Sequence, residues 1–177
     1  MKNCTNSLLI VCMLLLSLSA QSQLVVKGNV PSRKTSGTPV PTGSAVLGAF
    51  EGRTPCKEIL QVLNMQPVPS CWKMKWSLTL YLDPVTKQPS HFALRGTYAN
   101  HETKEGKWSI THGMPGNPDA VLYELEMNAP ESVLYLLKGD EHVLFMLDKN
   151  KNFLKGNADW SYTLNRVVNW IFAGILL

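Results

Sequence analysis

The stretch from Cys71 to Leu82 constrains this chain more than any other. Trp72, Met74, Trp76, Leu78, Leu80 and Leu82 fall on every second residue, with Lys73, Lys75, Ser77, Thr79 and Tyr81 between them. A period of two is the strand period, because successive side chains of a pleated backbone point to opposite faces. An apolar face carrying two Trp side chains needs a large apolar partner. At about 3.3 Å per residue such a strand spans roughly 36 Å, long enough that it must twist or bend around a core.

A chain of 177 residues has room for one domain, and 45% hydrophobic residues suffice for a real core. The net charge of +4 is spread along the chain rather than clustered on one element, which argues against a nucleic-acid footprint. Residues 1–22 read as an export signal. Lys2 gives a positive start, Leu8 to Leu16 an apolar run too short to span a bilayer, and Ala20-Gln21-Ser22 the small residues of a cleavage region. Cys12 lies inside the apolar run, so lipidation is not expected. The protein is expected in the periplasm or cell envelope. Cys56 and Cys71 then remain, and an exported pair of cysteines is expected to form a disulfide; two buried reduced thiols are the alternative.

Residues 23–43 are rich in Pro, Ser, Thr and Gly without an apolar period, and read as a flexible tether. Residues 44–166 carry the fold. Val46 to Thr54 reads as a strand. Pro55 to Leu63 changes period, with Ile59, Leu60 and Leu63 on one face, and Thr54 before Pro55 reads as a helix start. After the long strand come Asp83-Pro84 as a turn and His91 to Tyr98 with Phe92, Leu94 and Tyr98 on one face. Gly106 to His112 follows, then Gly113 to Asp119 as a loop and Ala120 to Met127 as a strand. Val133 to Leu137 precedes the turn at Lys138 to Glu141. Val143, Phe145 and Leu147 mark the next strand, and Gly156, Ala158, Trp160, Tyr162 and Leu164 the last. No long helix alternates with these segments, so the chain is read as mostly β. It is expected to form an antiparallel up-and-down barrel of about eight strands with one short helix, a two-sheet sandwich being the alternative.

Catalytic signatures are missing: the sequence has no Gly-x-Ser-x-Gly, no His-Glu-x-x-His and no Gly-rich phosphate loop. A non-enzymatic protein without a cofactor is expected. His91, His112 and Met74 could form a metal site only if the fold brought them together. Asp148 to Asn152 resembles the start of a calcium loop, but Phe153 stands where that loop needs Gly, so a polar turn is the reading.

Phe50-x-Gly52-x-x-Pro55-Cys56 is similar to the opening of the N-terminal domain of the NlpE family. Gly106-Lys107-Trp108 and Leu144 to Asp148 also resemble it, and the likeness runs from Val46 to Arg166. That resemblance implies a small lipocalin-related barrel of the bacterial cell envelope, associated with copper resistance and with signalling of adhesion and lipoprotein-transport stress. Two departures bear on it. Cys56 is followed by Lys57-Glu58-Ile59, so the family's Cys-x-x-Cys is absent, and so is its lipid-attachment Cys. The partner implied is an envelope protein or a small ligand. In a carrier of a small hydrophobic ligand, Trp72, Trp76, Phe92, Tyr98 and Trp108 would line the cavity; otherwise these aromatics fill the barrel.

The tail, residues 167–177, is almost wholly apolar yet too short to cross a bilayer as a helix. It is expected to pack on the barrel, contact a membrane through Trp170 and Phe172, or dock with a partner.

Overall fold

The computed structural model describes residues 32–33, 39–96, 103–127 and 132–169. The chain forms β1 (Ser32–Arg33), β2 (Val46–Thr54), α1 (Lys57–Val62), β3 (Met74–Leu82), β4 (Pro89–Gly96) and β5 (Lys104–Met114). It continues as β6 (Asn117–Met127), β7 (Ser132–Lys138), β8 (Val143–Met146) and β9 (Thr163–Val168). Each strand from β2 to β9 pairs antiparallel with the next in sequence. Strand β9 then pairs with β2, Phe50 facing Arg166 and Glu51 facing Asn165. The sheet therefore closes into the eight-stranded up-and-down barrel expected from the turn spacing, and closure removes the free edges. The two-residue β1 pairs in parallel with Val167 and Val168.

Closure brings β2 close to β9. A Cβ on Gly52 would overlap the Thr163 carbonyl oxygen, a backbone atom that cannot step aside. Glycine at this position lets the first and last strands meet.

Alternation decides what enters the barrel. Trp76, Leu78 and Leu80 of β3 are buried, as are Phe92 and Leu94 of β4, Trp108 of β5, and Tyr123 and Leu125 of β6. Leu134, Leu136, Leu144, Met146 and Leu164 complete the same continuous core. Burying a large apolar side chain is worth about 1.5–3 kcal/mol, so these positions carry most of the stabilisation.

The short helix forms, but not from Thr54. Thr54 belongs to β2 and is fully buried; its Oγ1 accepts a hydrogen bond from Trp76 Nε1 at 3.0 Å. Cys56 takes the position before the first helical turn without a side-chain cap. Ile59, Leu60 and Leu63 join the barrel core, so α1 plugs one end of it. Other boundaries moved as well. The loop expected over Gly113 to Asp119 contracts to the Pro115-Gly116 turn, because β5 and β6 run on into it. Leu144 and Met146, not Val143 and Phe145, carry the inward face of β8. The last strand begins at Thr163, and residues 154–162 approach it as irregular chain.

At the end opposite α1 the connections are short. Asp83 Oδ1 accepts hydrogen bonds from the Thr86 and Val85 amides, which hold its carboxyl below the usual carboxylate range. Asp140 Oδ1 accepts from the His142 and Val143 amides. Arg166 reaches across this end: Nε donates to the Glu141 carbonyl at 2.6 Å and Nη1 to the Leu47 carbonyl at 2.8 Å. Its guanidinium sits 4.9 Å from the centre of the Phe50 ring, in the space that a side chain on Gly48 would take. Outside the barrel, Asn169 bonds both backbone groups of Val40, which is buried against Ala49 and Val167. The Pro-rich stretch expected to be free is thus tied down at Val40. β9 ends at Val168, two residues beyond the expected limit of the fold.

Candidate functional site at the helix-capped rim

Cys56 and Cys71 are joined by a disulfide with a Cα–Cα distance of 5.8 Å, as expected. The bond spans a separation of 15 residues and staples the start of α1 to the chain entering β3. In the chain-entropy model a loop of this size is worth about 3 kcal/mol.

The five aromatics read as cavity lining do not stay together. Trp76, Phe92 and Trp108 point inward and keep 1–3% of their surface. Trp108 Nε1 donates to the Tyr81 carbonyl at 2.7 Å, and its ring meets Tyr123 edge-on at 5.1 Å. Their surfaces are covered, and the ring N–H groups of Trp76 and Trp108 are both hydrogen-bonded within the protein. Trp72 is a correction. It lies before β3, outside the barrel, and is 66% exposed, because Cys71 is held toward α1 and the strand pairing starts only at Met74. Tyr98 lies outside the described residues, as do Ala20, Ser22 and residues 170–177 of the tail.

His91, His112 and Met74 do not converge. Met74 is buried near the helix end, whereas His91 and His112 are exposed, His91 stacking on Tyr81 at 4.4 Å. Among the described residues no group of three or more His, Cys, Asp or Glu side chains could hold a metal ion. The Asp148 carboxylate serves its own turn: Oδ1 accepts hydrogen bonds from the Asn150 and Asn152 amides, both at 2.8 Å.

A second cluster gathers at the helix end. The Trp72 and Trp160 ring centres are 6.4 Å apart, tilted by 60°. Lys73 Nζ lies 4.5 Å from the centre of Trp72 and 5.5 Å from that of Trp160. The Arg53 guanidinium stands 5.9 Å from Trp160. Each cation is within reach of the negative face of an indole ring. Trp160 Nε1 is buried with no hydrogen-bond partner among the described residues, so its neighbours, not a hydrogen bond, set its position. Met65 and Val68, in the loop that the disulfide closes, are 36% and 47% exposed.

Beneath this rim Tyr162 Oη donates to Glu58 Oε2 at 2.6 Å, tying the approach to β9 onto α1. Burial, and then the hydrogen bond to Glu58, push the Tyr162 hydroxyl well above the usual tyrosine range. Burial also raises Tyr123, against the pull of the Arg166 charge.

Sequence reasoning placed Trp160 on the last strand and gave Arg53 and Lys73 no role. The signals were present but weak. Trp160 follows Asn157 and Asp159, and Asn157 Oδ1 accepts from the Asp159 and Trp160 amides, which makes this a turn. Among the described residues no helix is long and apolar enough to cross a membrane. No family model, curated protein or solved structure matches this chain.

Proposed function

We propose that the protein is an exported, non-enzymatic barrel of the bacterial cell envelope, of the NlpE-like kind, that binds its partner at the helix-capped rim and not inside the barrel. The observation that carries this reading is the contrast between the buried aromatics inside the barrel and the exposed side chains at its rim. Trp76, Phe92 and Trp108 are buried, while Trp72 and Arg53 are exposed with Lys73 and Trp160 half-buried beside them. Three features support the setting: the signal-like N-terminus, the disulfide, and an opening whose Gly52 and Cys56 both have structural tasks. Within the NlpE-like resemblance, a role in envelope stress sensing is favoured over copper tolerance, because each sulfur of Cys56 and Cys71 is bonded to the other and neither is a thiolate ligand. The non-enzymatic reading draws on the sequence, which carries none of the catalytic signatures sought above.

Native mass spectrometry of protein purified from its host tests the reading against a carrier. The expected result is a single species at the apo mass, with no change in Trp fluorescence across a panel of free fatty acids and other small apolar ligands. A stoichiometric small molecule that leaves on denaturation would establish the carrier instead.

A further inference from the structure

The rim has two chemistries side by side, and a particular surface needs both. Met65, Val68 and Trp72 are the exposed apolar side chains of the connection from α1 to β3. Their loop is held in shape: the Met65 amide donates to the Leu60 carbonyl at 2.8 Å, the Cys71 amide to the Val68 carbonyl at 2.9 Å, and the disulfide closes it. The apolar groups therefore stay outside at little further entropic cost. Lys73 and Arg53 stand over the indole rings at their base, and Lys57, at the first position of α1, is exposed on the same end. The acidic groups nearby are Glu58, engaged with Tyr162, and Asp159, exposed beside Trp160. Elsewhere the exposed apolar side chains are Val85, Ile110, Phe153 and Val168, and Lys87 shares the turn of Val85. Val85 is 86% exposed at the other end of the barrel, in a turn that also carries Asp83, and Phe153 packs edge-on against Phe145.

We propose that this end of the barrel docks on an anionic lipid bilayer. Val68, Met65 and Trp72 enter the boundary between headgroups and acyl chains, and Lys73 and Arg53 face the lipid phosphates. The proposal rests on the rim reading and names what the rim binds. Interfacial Trp, short aliphatic side chains and a basic collar are the combination that a bilayer surface rewards: apolar burial adds to the attraction of cations for anionic headgroups. A soluble anion would use the cations but not Met65 or Val68. A neutral bilayer would use the apolar tip but not the collar.

The test is co-sedimentation of the mature full-length chain with vesicles of phosphatidylcholine alone or mixed with phosphatidylglycerol, read also by Trp fluorescence. The expected result is binding to the anionic vesicles with a blue shift, weakened by salt, and much weaker binding to phosphatidylcholine alone. Val68→Asp and Trp72→Ala should each lower the bound fraction, and together reduce affinity at least about tenfold. Lys73→Gln should act on anionic vesicles only. Val85→Asp, at the opposite end, should change nothing. Intact mass and thermal unfolding confirm that each variant is folded and oxidised. Inorganic phosphate should compete no better than chloride at equal ionic strength; competition specific to phosphate would establish a soluble-anion site and overturn the bilayer. Binding that survives Val68→Asp with Trp72→Ala but is lost on Phe172→Asp would assign it to the tail and overturn the proposal. Failure to bind any vesicle overturns it too, and an apo mass in the preceding experiment would then leave the rim reading intact with a protein as its partner.

Discussion

At one end of the barrel a helix, a disulfide and a tyrosine–glutamate hydrogen bond hold the interior shut; at the other, one arginine side chain and short turns do so. The difference lies in what each solution leaves outside. A helix laid across a barrel mouth needs chain to reach it and chain to return. That returning chain, from Asn64 to Lys73, exposes Met65, Val68 and Trp72. Arg166 closes the other mouth without any added chain, and the turn that Asp83 organises there leaves Val85 as its exposed apolar side chain. Three exposed apolar side chains therefore gather on one connection at the helix end.

If the two closures are independent, breaking one should leave the other intact. Cys71→Ser should have the largest effect, lowering stability by about 3 kcal/mol through the released loop. Chemical denaturation measures the loss. Amide exchange should accelerate across α1 while the amides of His142 and Val143 keep their protection; equal acceleration at both ends would show one cooperative closure.

Arg166→Met should cost about 2 kcal/mol, because the Leu47 and Glu141 carbonyls lose a charged donor. The pattern should be reversed, with exchange faster near Glu141 and α1 unchanged. A variant as stable as the parent would mean that water serves these carbonyls equally well.

Tyr162→Phe should cost about 1 kcal/mol by freeing α1 from the approach to β9. It should also alter the alkaline limb of stability. The folded hydroxyl titrates above its unfolded value, so its contribution is complete below the unfolded pKa of about 10 and is lost as pH rises toward the folded one. The parent should therefore lose stability with rising pH from about 10, and Tyr162→Phe should flatten that slope. Parallel slopes in denaturant titrations at increasing pH would contradict the assignment.

Trp72→Ala should have the smallest effect, within about 0.5 kcal/mol, since the ring is mostly exposed. A larger loss in thermal or chemical unfolding would show that the rim aromatics belong to the closure of the helix end and are not spare.

What the sequence determined by itself was whatever short-range pattern dictates. The alternation of Met74, Trp76, Leu78 and Leu80 requires a strand with one buried face, and Phe92 with Leu94 repeats it, because side-chain direction on a pleated backbone follows residue number alone. Asp83-Pro84 and Lys138 to Glu141 mark turns because their side chains bond the local backbone. Cys56 and Cys71 were the remaining pair once residues 1–22 were set aside as a signal. Tertiary structure decided the rest. Val143 to Leu147 is apolar at every position, so a period of two has no phase there. Pairing with β7 and β9 turned Leu144 and Met146 inward. Thr54 could have opened the helix, but the indole of Trp76, distant in sequence, claimed its hydroxyl for the sheet. Trp72 continued the apolar alternation by one step, yet the disulfide drew the chain toward α1 before β3 began and left the ring outside. An aromatic side chain gains more free energy filling a barrel than lying exposed on a rim, yet that gain does not say which aromatics of a chain are drawn inside. Which it does depends on where pairing starts, and pairing is a contact between strands that no local pattern specifies.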